Sequence, residues 1–300
     1  MKALGERLAS LPGNVRGALW AACAMAAFGG MEAVIKAMGA TMHPLQIAFF
    51  RCLFAFLFIA PIVLAMGGFA RVATARFGAH LGRTLIGYAA MATGFLAITR
   101  LPLADAVALG YVRQLFLVVL AVAFLGETVR WRRWTATAVG FAGVVVMVRP
   151  GAGVLDPFAF VALASGFLVA CVTVAVKRLA ETESAEATVF WFGAIASVVS
   201  LGPALFVWRW PEPWEWGVVA SLGVMGAFGQ YFAMRAYRVA DATAVEPVDY
   251  GRLILAAFFG VFVFGEAIDA YTVLGAAIIV ASTLYITRRE AKLAASARPR

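Results

Sequence analysis

The chain has 300 residues, of which 63% are hydrophobic and 14% are charged, and its formal net charge is +9. A soluble domain carries roughly 25% charged residues, so this chain has too little charge to coat a surface that faces water. The composition therefore excludes a soluble globular protein and indicates lipid as the main solvent. About 20 apolar residues span a bilayer, so the length allows about ten spans and no separate soluble domain.

Ten apolar runs follow one another along the chain, and they predict an all-α integral membrane protein. The first run follows Lys2, Arg7 and Arg16 and is too long for a signal peptide, so we interpret it as an uncleaved first helix. Turn-forming residues separate several of the runs. The predicted spans are 17–38, 44–66, 82–99, 103–125, 133–149, 157–177, 187–208, 216–237, 242–264 and 269–287.

Lysine and arginine are distributed unequally between the two sets of connecting segments. The tails and the loops after the second, fourth, sixth and eighth spans are rich in them, whereas the intervening loops hold only Arg100, Arg149 and Arg209. The positive-inside rule then predicts that both termini face the cytoplasm, in a bacterial-type inner or plasma membrane. The positive charge is thus a topology signal, and it does not indicate binding to nucleic acid.

Short sequences from the first half recur in the second half. Tyr111-Val112-Arg113 returns 139 positions later as Tyr250-Gly251-Arg252, and Gly126-Glu127 returns at the same spacing as Gly265-Glu266. Each half therefore holds five predicted spans, residues 1–150 and residues 151–300. Because five is odd, the second half enters the membrane from the opposite side, which predicts an inverted-topology repeat.

The repeat, with Gly-Glu after the fourth span of each half, resembles the EamA type of the drug/metabolite transporter superfamily. Trp20, the segment Ala33-Val34-Ile35-Lys36, Phe50-Arg51 and the run from Val248 to Leu253 are similar to segments of that family. The resemblance covers nearly the whole chain and implies a metabolite exporter or exchanger with a central cavity between the halves. Where one branch of the family usually has a proline in the fourth helix, this chain has Gln114.

Ionisable residues inside spans are energetically unfavourable and usually mark pairs or water-filled paths. Glu32 and Lys36 are four residues apart and share one helix face. They are either a proton or substrate-carboxylate site or an ion pair that only packs. The ionisable residues within the predicted spans are Glu32, Lys36, Arg51, Arg113, Arg235, Glu246, Asp249 and Arg252.

Arg113 and Arg252 lie about ten residues into their spans, roughly 15 Å deep and close to the membrane midplane. As repeat mates they are candidates for binding one carboxylate from opposite halves. Alternatively, Arg252 pairs with Asp249. We predict a mixture, with Asp249–Arg252 as a structural pair that lines the cavity and Arg113 as the less committed charge.

Pro247 lies inside the ninth span, where it removes a backbone donor, and it is the candidate hinge. Glu246 and Asp249 flank it and are candidates for titration, although a static kink is the alternative. Gly223, Gly226 and Gly229 predict a close helix contact. Further candidates for the cavity wall are Phe28, Tyr88, Tyr111, Gln114, Trp191, Tyr231 and Tyr250.

The sequence contains no ATP-binding loop, no zinc-protease motif and no hydrolase triad, and it predicts no cofactor and no metal. The first hypothesis is a secondary active transporter of a small amphipathic metabolite, such as an amino acid or a derivative, with protons as a candidate coupling ion. Arg51, Arg113 and Arg252 would contact the substrate carboxylate, and Glu32 or Glu246 the amine or a proton. The alternatives are a membrane-embedded enzyme acting on a lipid-soluble substrate and a passive uniporter. The oligomeric state stays open.

Overall fold

The structure is a computed structural model that describes residues 13–65, 68–125, 131–149, 156–179, 182–240 and 242–297. Within these ranges the chain forms α-helices and one 3₁₀ turn, Phe69–Arg71, and it forms no strand. The helices in chain order are α1 (Gly13–Met38), α2 (Pro44–Ala65), α3 (Phe77–Arg100), α4 (Leu103–Gly110), α5 (Val112–Leu125), α6 (Trp131–Val148), α7 (Pro157–Leu179), α8 (Ala185–Leu205), α9 (Pro213–Val239), α10 (Ala242–Asp249), α11 (Gly251–Phe262) and α12 (Ala270–Ala297).

The helices account for the ten predicted spans. In the described part of the chain, eight segments are long and apolar enough to cross a bilayer, with α4 and α5 counted together as Leu103–Phe124. Trp134–Val148 is a shorter apolar helix, and α10 and α11 together cover most of the predicted ninth span. The prediction of an all-α, multi-span membrane protein is therefore confirmed. Helix α12 continues to Ala297, beyond the predicted end, because residues 288–297 are mostly helix-favouring Arg, Lys, Glu and Ala.

Several helices begin at residues that satisfy or avoid unpaired backbone donors. Pro44 and Pro157 occupy the first positions of α2 and α7, where a missing N–H does no harm. The Ser184 hydroxyl accepts from the Ala187 backbone at 3.1 Å and caps α8. Glu212 and Glu215 form a reciprocal capping box at the start of α9. Such local signals fix where a helix begins, whereas lipid favours helix throughout.

The helices pack in pairs that cross between the two halves of the chain. Helix α1 packs on α9, α3 on α7, α2 on α8 and α6 on α12. One apolar cluster is formed mainly by residues of α4 to α7 and α12, and a second mainly by residues of α1, α2, α3 and α9. The interface between the halves is therefore extensive and contains both main clusters.

Helix α9 approaches its neighbours through the glycines that the sequence singled out. A Cβ atom built on Gly223 would lie 2.6 Å from the backbone nitrogen of Ala55 in α2, and one built on Gly229 would lie 2.8 Å from the Phe28 ring in α1. Real Cβ atoms essentially never come so close. The predicted close packing is thus confirmed at both positions.

Contacts between a helix residue and nearby loop residues define the two ends of the bundle. At one end, Lys36 contacts Leu101 and Glu266, and we name this the Lys36 end. At the other end, His80 of α3 contacts Glu183, just before α8, and we name this the His80 end. Successive spans run between these two ends in opposite directions.

Candidate functional site

Two spans are interrupted at equivalent positions near their middle. Helix α4 ends at Gly110 and α5 begins at Val112, and α10 ends at Asp249 and α11 begins at Gly251. The linking residues have similar backbone angles, with φ −70° and ψ −14° at Tyr111 and φ −65° and ψ −14° at Tyr250. Each carbonyl accepts from the backbone nitrogen three residues later, which is the tighter 3₁₀ pattern that often marks a functional hinge.

The two linking tyrosines join the interrupted spans to each other. Their ring centroids are 4.7 Å apart. The Tyr111 hydroxyl donates to the Asp249 carbonyl at 2.8 Å, and the Tyr250 hydroxyl bonds to Gln114 Oε1 at 2.8 Å. Tyr250 also lies 2.5 Å from the Thr283 hydroxyl in α12. Both side chains are buried, so their hydroxyls tie one half of the chain to the other without contact with solvent.

Beside the tyrosines, two arginines and two carboxylates form one group of charges. Arg252 of α11 forms an ion pair with Glu32 of α1 and lies 3.8 Å from the Asp249 carboxylate. Arg113 of α5 lies 3.6 Å from the other oxygen of Asp249. The formal charges of the group balance, which lowers the free-energy cost of burying them in a membrane protein.

A cavity of about 130 Å³ lies against this group of charges. We name it the central cavity. Its walls come from α1, α3, α4, α5, α7 and α11, so both halves contribute. It is smaller than a typical ligand pocket of roughly 300–1,000 Å³. Its polar lining residues are Glu32, Tyr111, Arg113, Ser165 and Arg252, and its small ones include Gly94, Gly110 and Gly166.

A larger cavity of about 570 Å³ lies between α2, α3, α7, α8 and α9. We name it the vestibule. It reaches towards the His80 end, because Glu183 and Thr188 are part of its wall. Its other polar residues include Arg51, Arg83 and Gln230, and its apolar residues include Phe56, Ile59, Val176, Val189, Phe192 and Met234.

The Lys36 end is held together by polar contacts between the halves. Lys36 pairs with Glu266 and donates to the Leu101 carbonyl at 2.5 Å. The second oxygen of Glu266 accepts a hydrogen bond from the backbone nitrogen of Leu103 at 2.7 Å. Leu103 is the first residue of α4. Gln46 donates to the Arg209 carbonyl at 2.5 Å. These contacts join α1, α2, α4 and the loops after α8 and α11.

The His80 end also has contacts between the halves. His80 Nε2 lies 3.3 Å from Glu183 Oε2, and Arg76 donates to the Thr182 hydroxyl at 2.7 Å. The indole of Trp191 donates to the Val72 carbonyl at 2.7 Å. These contacts lie beside the vestibule, whose wall includes Glu183.

Comparison with known proteins assigns the chain to a family. The family model described as the EamA-like transporter family matches residues 15–149 and again residues 157–288. The chain belongs to the EamA-like transporter family. The resemblance predicted from the repeat, Trp20, Lys36 and Arg51 is thereby confirmed.

Curated relatives of this EamA-like transporter are named for different cargoes. An S-adenosylmethionine uptake transporter of Rickettsia prowazekii is 31% identical over 87% of this chain and 88% of its own length. A riboflavin transporter of Rhizobium johnstonii is 30% identical over 92% of each chain. A pseudopaline exporter of Pseudomonas aeruginosa is 29% identical over 91% of this chain and 96% of its own. A solved structure matches with a TM-score of 0.63 at 20% identity, over 92% of this chain and 99% of that one, which shows a shared fold.

One of the two alternatives for Glu32 and Lys36 in this EamA-like transporter, an ion pair between them, was wrong. Glu32 and Lys36 do not pair with each other, because each reaches an opposite charge from the second half. Arg113 has the looser contacts of the two arginines, because it is about one-third exposed and lies 3.6 Å from Asp249, whereas Arg252 is less exposed and pairs closely with Glu32. The expected Asp249–Arg252 contact is present, but Glu32 is the nearer partner of Arg252.

The other predicted site residues are dispersed. Arg51 lines the vestibule, and Gln114 bonds to Tyr250. Tyr88 is buried in the apolar cluster of α1, α2, α3 and α9. Trp191 is held at the His80 end, and Tyr231 is half exposed and packs edge-on against Trp20.

The ninth span also differs in detail from the prediction. Helix α10 continues through Pro247 to Asp249, so the interruption lies at Tyr250, three residues later. The side chain of Glu246 lies outside the described residues. The candidate hinge proline therefore precedes the break.

Sequence reasoning missed two residues that the structure brings into prominence. Arg83 is not among the residues that the sequence singles out, but it lies in α3 and lines the vestibule. Glu266 was treated only as a repeat marker, but it pairs with Lys36. The recurrence of Gly-Glu after the fourth span of each half was the available signal for Glu266. The available signal for Arg83 was its position one residue inside the predicted third span.

Proposed function

We propose that this protein is a secondary active transporter that exports or exchanges a small amphipathic metabolite with a carboxylate, such as an amino acid or a derivative. The observation that carries the proposal is the central cavity. Charges from both halves meet there, beside two spans interrupted at matching positions. Interrupted helices of this kind form the substrate and ion sites of many secondary transporters.

The proposed architecture is two inverted five-span repeats, residues 1–150 and 151–300. Exchange of the first five spans with the last five leaves the packing pattern unchanged, which supports this proposal. The contact of α1 with α9 becomes that of α7 with α3, and the contacts of α2 with α8 and of α6 with α12 map onto themselves. With both termini in the cytoplasm, the Lys36 end faces outwards and the His80 end faces inwards.

The proposed mechanism is alternating access, in which the halves rock about the central cavity. The pairing of Lys36 with Glu266 closes the Lys36 end, and the vestibule leads from the His80 end towards the middle of the bundle. Both features support an inward-facing state. Opening to the outside would separate Lys36 from Glu266 and close the vestibule.

Arg113 is the proposed anchor for the substrate carboxylate. It is about one-third exposed and its contact with Asp249 is long, at 3.6 Å, so an incoming carboxylate could replace Asp249 as its partner. A released Asp249, or Glu32, would then accept the substrate amine or a proton. A ligand shifts the equilibrium between two states only through different contacts in each, and such an exchange of partners provides them.

The names of the relatives support a metabolite substrate without fixing its identity. They include an uptake transporter and an exporter, so the family accommodates both directions. The expectation of export or exchange is therefore the part of the proposal that a transport assay has to decide.

Counterflow in proteoliposomes tests the role of Arg113. We expect Arg113→Ala to abolish exchange of a labelled amino-acid panel, whereas Arg100→Ala, which removes a cation stacked on Phe158, preserves it. Size-exclusion chromatography checks that each variant is folded. Undiminished exchange by Arg113→Ala would remove its assigned role. Recovery of a chemically altered solute would instead favour the membrane-embedded enzyme.

A further inference from the structure

The vestibule contains buried guanidinium nitrogens that lack a partner. Arg51 Nε and both Nε and Nη1 of Arg83 are buried and have no hydrogen-bond acceptor, and elsewhere in the described part of the chain Arg16, Arg209 and Arg252 each have one such nitrogen. A buried donor without an acceptor is unfavourable, and more so when it is charged. Two such arginines on one cavity wall therefore need an explanation beyond packing.

The protein supplies only weak partners to these two arginines. Arg83 stacks over the Phe192 ring at 4.2 Å, and Arg51 Nη1 lies 3.3 Å from the Met91 sulfur, which is a weak acceptor. Glu183 is the one acidic residue among those described in the vestibule wall. Its Oε2 is directed at His80, and its side chain is 7% exposed. The vestibule is thus positively charged.

The two arginines lie at different depths along the vestibule. Helix α3 starts at the His80 end, so Arg83 lies ~9 Å from that end. Helix α2 starts at the Lys36 end, so Arg51 lies ~10 Å from the opposite end. A ligand that enters from the His80 end would therefore meet Arg83 first and Arg51 second.

The remaining wall restricts the class of ligand. Phe56, Phe192 and Met234 give it apolar and aromatic surfaces, and Thr188 and Gln230 add neutral hydrogen-bonding groups. A volume of about 570 Å³ falls within the range of small-molecule sites. The guanidinium fork matches carboxylate and phosphate oxygens. The ligand that fits has an oxyanion at one end and an apolar body.

We propose that the vestibule is an anion-binding site, separate from the central cavity, in which Arg83 and then Arg51 bind the oxyanion of an organic acid or phosphate ester. This proposal extends the proposed function. It rests on that function only for the later passage of the ligand to Arg113. Binding in the vestibule requires no transport and can be measured on its own.

The first test measures ligand binding to the full-length protein in an uncharged detergent, by thermal stabilisation. The probes are phenylacetate, phenyl phosphate and the neutral 2-phenylethanol, which share an aromatic body. We expect at least one anion to stabilise the protein and the alcohol not to. Arg51→Met/Arg83→Met should weaken anion binding by about tenfold or more, and the control Arg132→Met should not. A carboxylate preference indicates an organic acid, and a phosphate preference indicates a phosphate ester.

Three results of this binding test would overturn the proposal. They are equal stabilisation by the alcohol, unchanged anion binding in the double variant, and no stabilisation by either anion. Counterflow measured on the same preparations separates this proposal from the proposed function. Loss of anion binding in Arg51→Met/Arg83→Met with counterflow retained would support the anion site in the vestibule only. Loss of counterflow in Arg113→Ala with anion binding retained would support the role of the central cavity only.

A second test reports the charge of the vestibule without any ligand. Cys23, Cys52 and Cys171 are replaced by alanine, and Thr188→Cys provides one thiol in the vestibule wall. We expect an anionic methanethiosulfonate to modify it faster, relative to a cationic one, than it modifies Phe206→Cys, a 91% exposed position at the other end. Arg83→Met should remove this preference. An equal ratio of rates at both thiols would contradict the proposal.

Discussion

The central cavity and the vestibule handle buried charge in opposite ways. In the central cavity, Arg113 and Arg252 are balanced by Asp249 and Glu32. In the vestibule, Arg51 and Arg83 face an aromatic ring, a sulfur atom and a carboxylate already engaged by His80. A balanced group stays stable when both ends of the bundle close around it, whereas an unbalanced one favours an incoming anion. The central cavity is therefore suited to enclosing a substrate, and the vestibule is suited to the first binding of an anion.

The largest effect should follow from breaking a pair in the central cavity. Glu32→Ala leaves Arg252 without its nearer carboxylate, and loss of one partner from a buried ion pair costs about 3–5 kcal/mol. We expect the melting temperature in detergent to fall sharply. Because the two charges compensate each other, Glu32→Gln/Arg252→Gln should recover much of the loss. If Glu32→Ala is as stable as the parent protein, the pairing of Glu32 with Arg252 does not stabilise the central cavity.

The next effect concerns a balanced pair outside the central cavity. Lys36→Met removes the partner of Glu266 and the donor to Leu101, and a hydrogen bond to a charged group contributes about 1.5–3 kcal/mol. We expect faster modification of a thiol introduced by Leu103→Cys, because the Lys36 end would open more often. Lys177→Met, on the equivalent helix of the second half, is the control. No change in reactivity would mean that Lys36 stabilises the fold without closing that end.

Removal of an unbalanced charge should act in the opposite direction. Arg83→Met eliminates two buried nitrogens without acceptors, each of which costs about 1–3 kcal/mol when unsatisfied, although it also loses the stacking on Phe192. We expect the ligand-free protein to become more stable, by about 1 kcal/mol. Arg132→Met, at an exposed arginine, should change little. A loss of stability as large as that of Glu32→Ala would abolish the distinction between the two cavities.

The smallest effect should come from the tyrosines that link the two parts of each interrupted span. Tyr111→Phe removes one hydrogen bond to the Asp249 carbonyl, which contributes about 0.5–1.5 kcal/mol. The exposed Tyr285→Phe should have no measurable effect on the melting temperature. If both variants behave alike, the hydroxyl of Tyr111 does not hold the interrupted spans together.

Much of the fold could be predicted from the sequence, because lipid imposes simple rules. Twenty or so apolar residues form a helix, and the ten runs appear as helical regions in the structure. The intramembrane charges Arg113, Asp249 and Arg252 could be selected because lipid makes such residues rare. These inferences need only local sequence.

The partners of those charges could not be predicted, because they depend on packing between distant segments. Glu32 and Arg252 are 220 residues apart, and helical spacing suggested Lys36 instead. Likewise Pro247 marked the ninth span as irregular, but the break at Tyr250 matches one at Tyr111, where the preceding helix contains no proline. Arg83 was overlooked because a cation near a span end usually reaches water, whereas here Phe192 covers it.

The pairing of Glu32 with Arg252 also affects how the protein is made. Synthesis proceeds at about 5–20 residues per second, so α1 leaves the ribosome about 10–40 s before α11, over the 220 residues that separate them. Throughout that interval Glu32 lacks Arg252, its partner in the folded protein. An unpaired charge at the centre of a span disfavours insertion by about 2.5–3.5 kcal/mol, so we expect the first span to reach its full stability in the bilayer only after the penultimate span has been made.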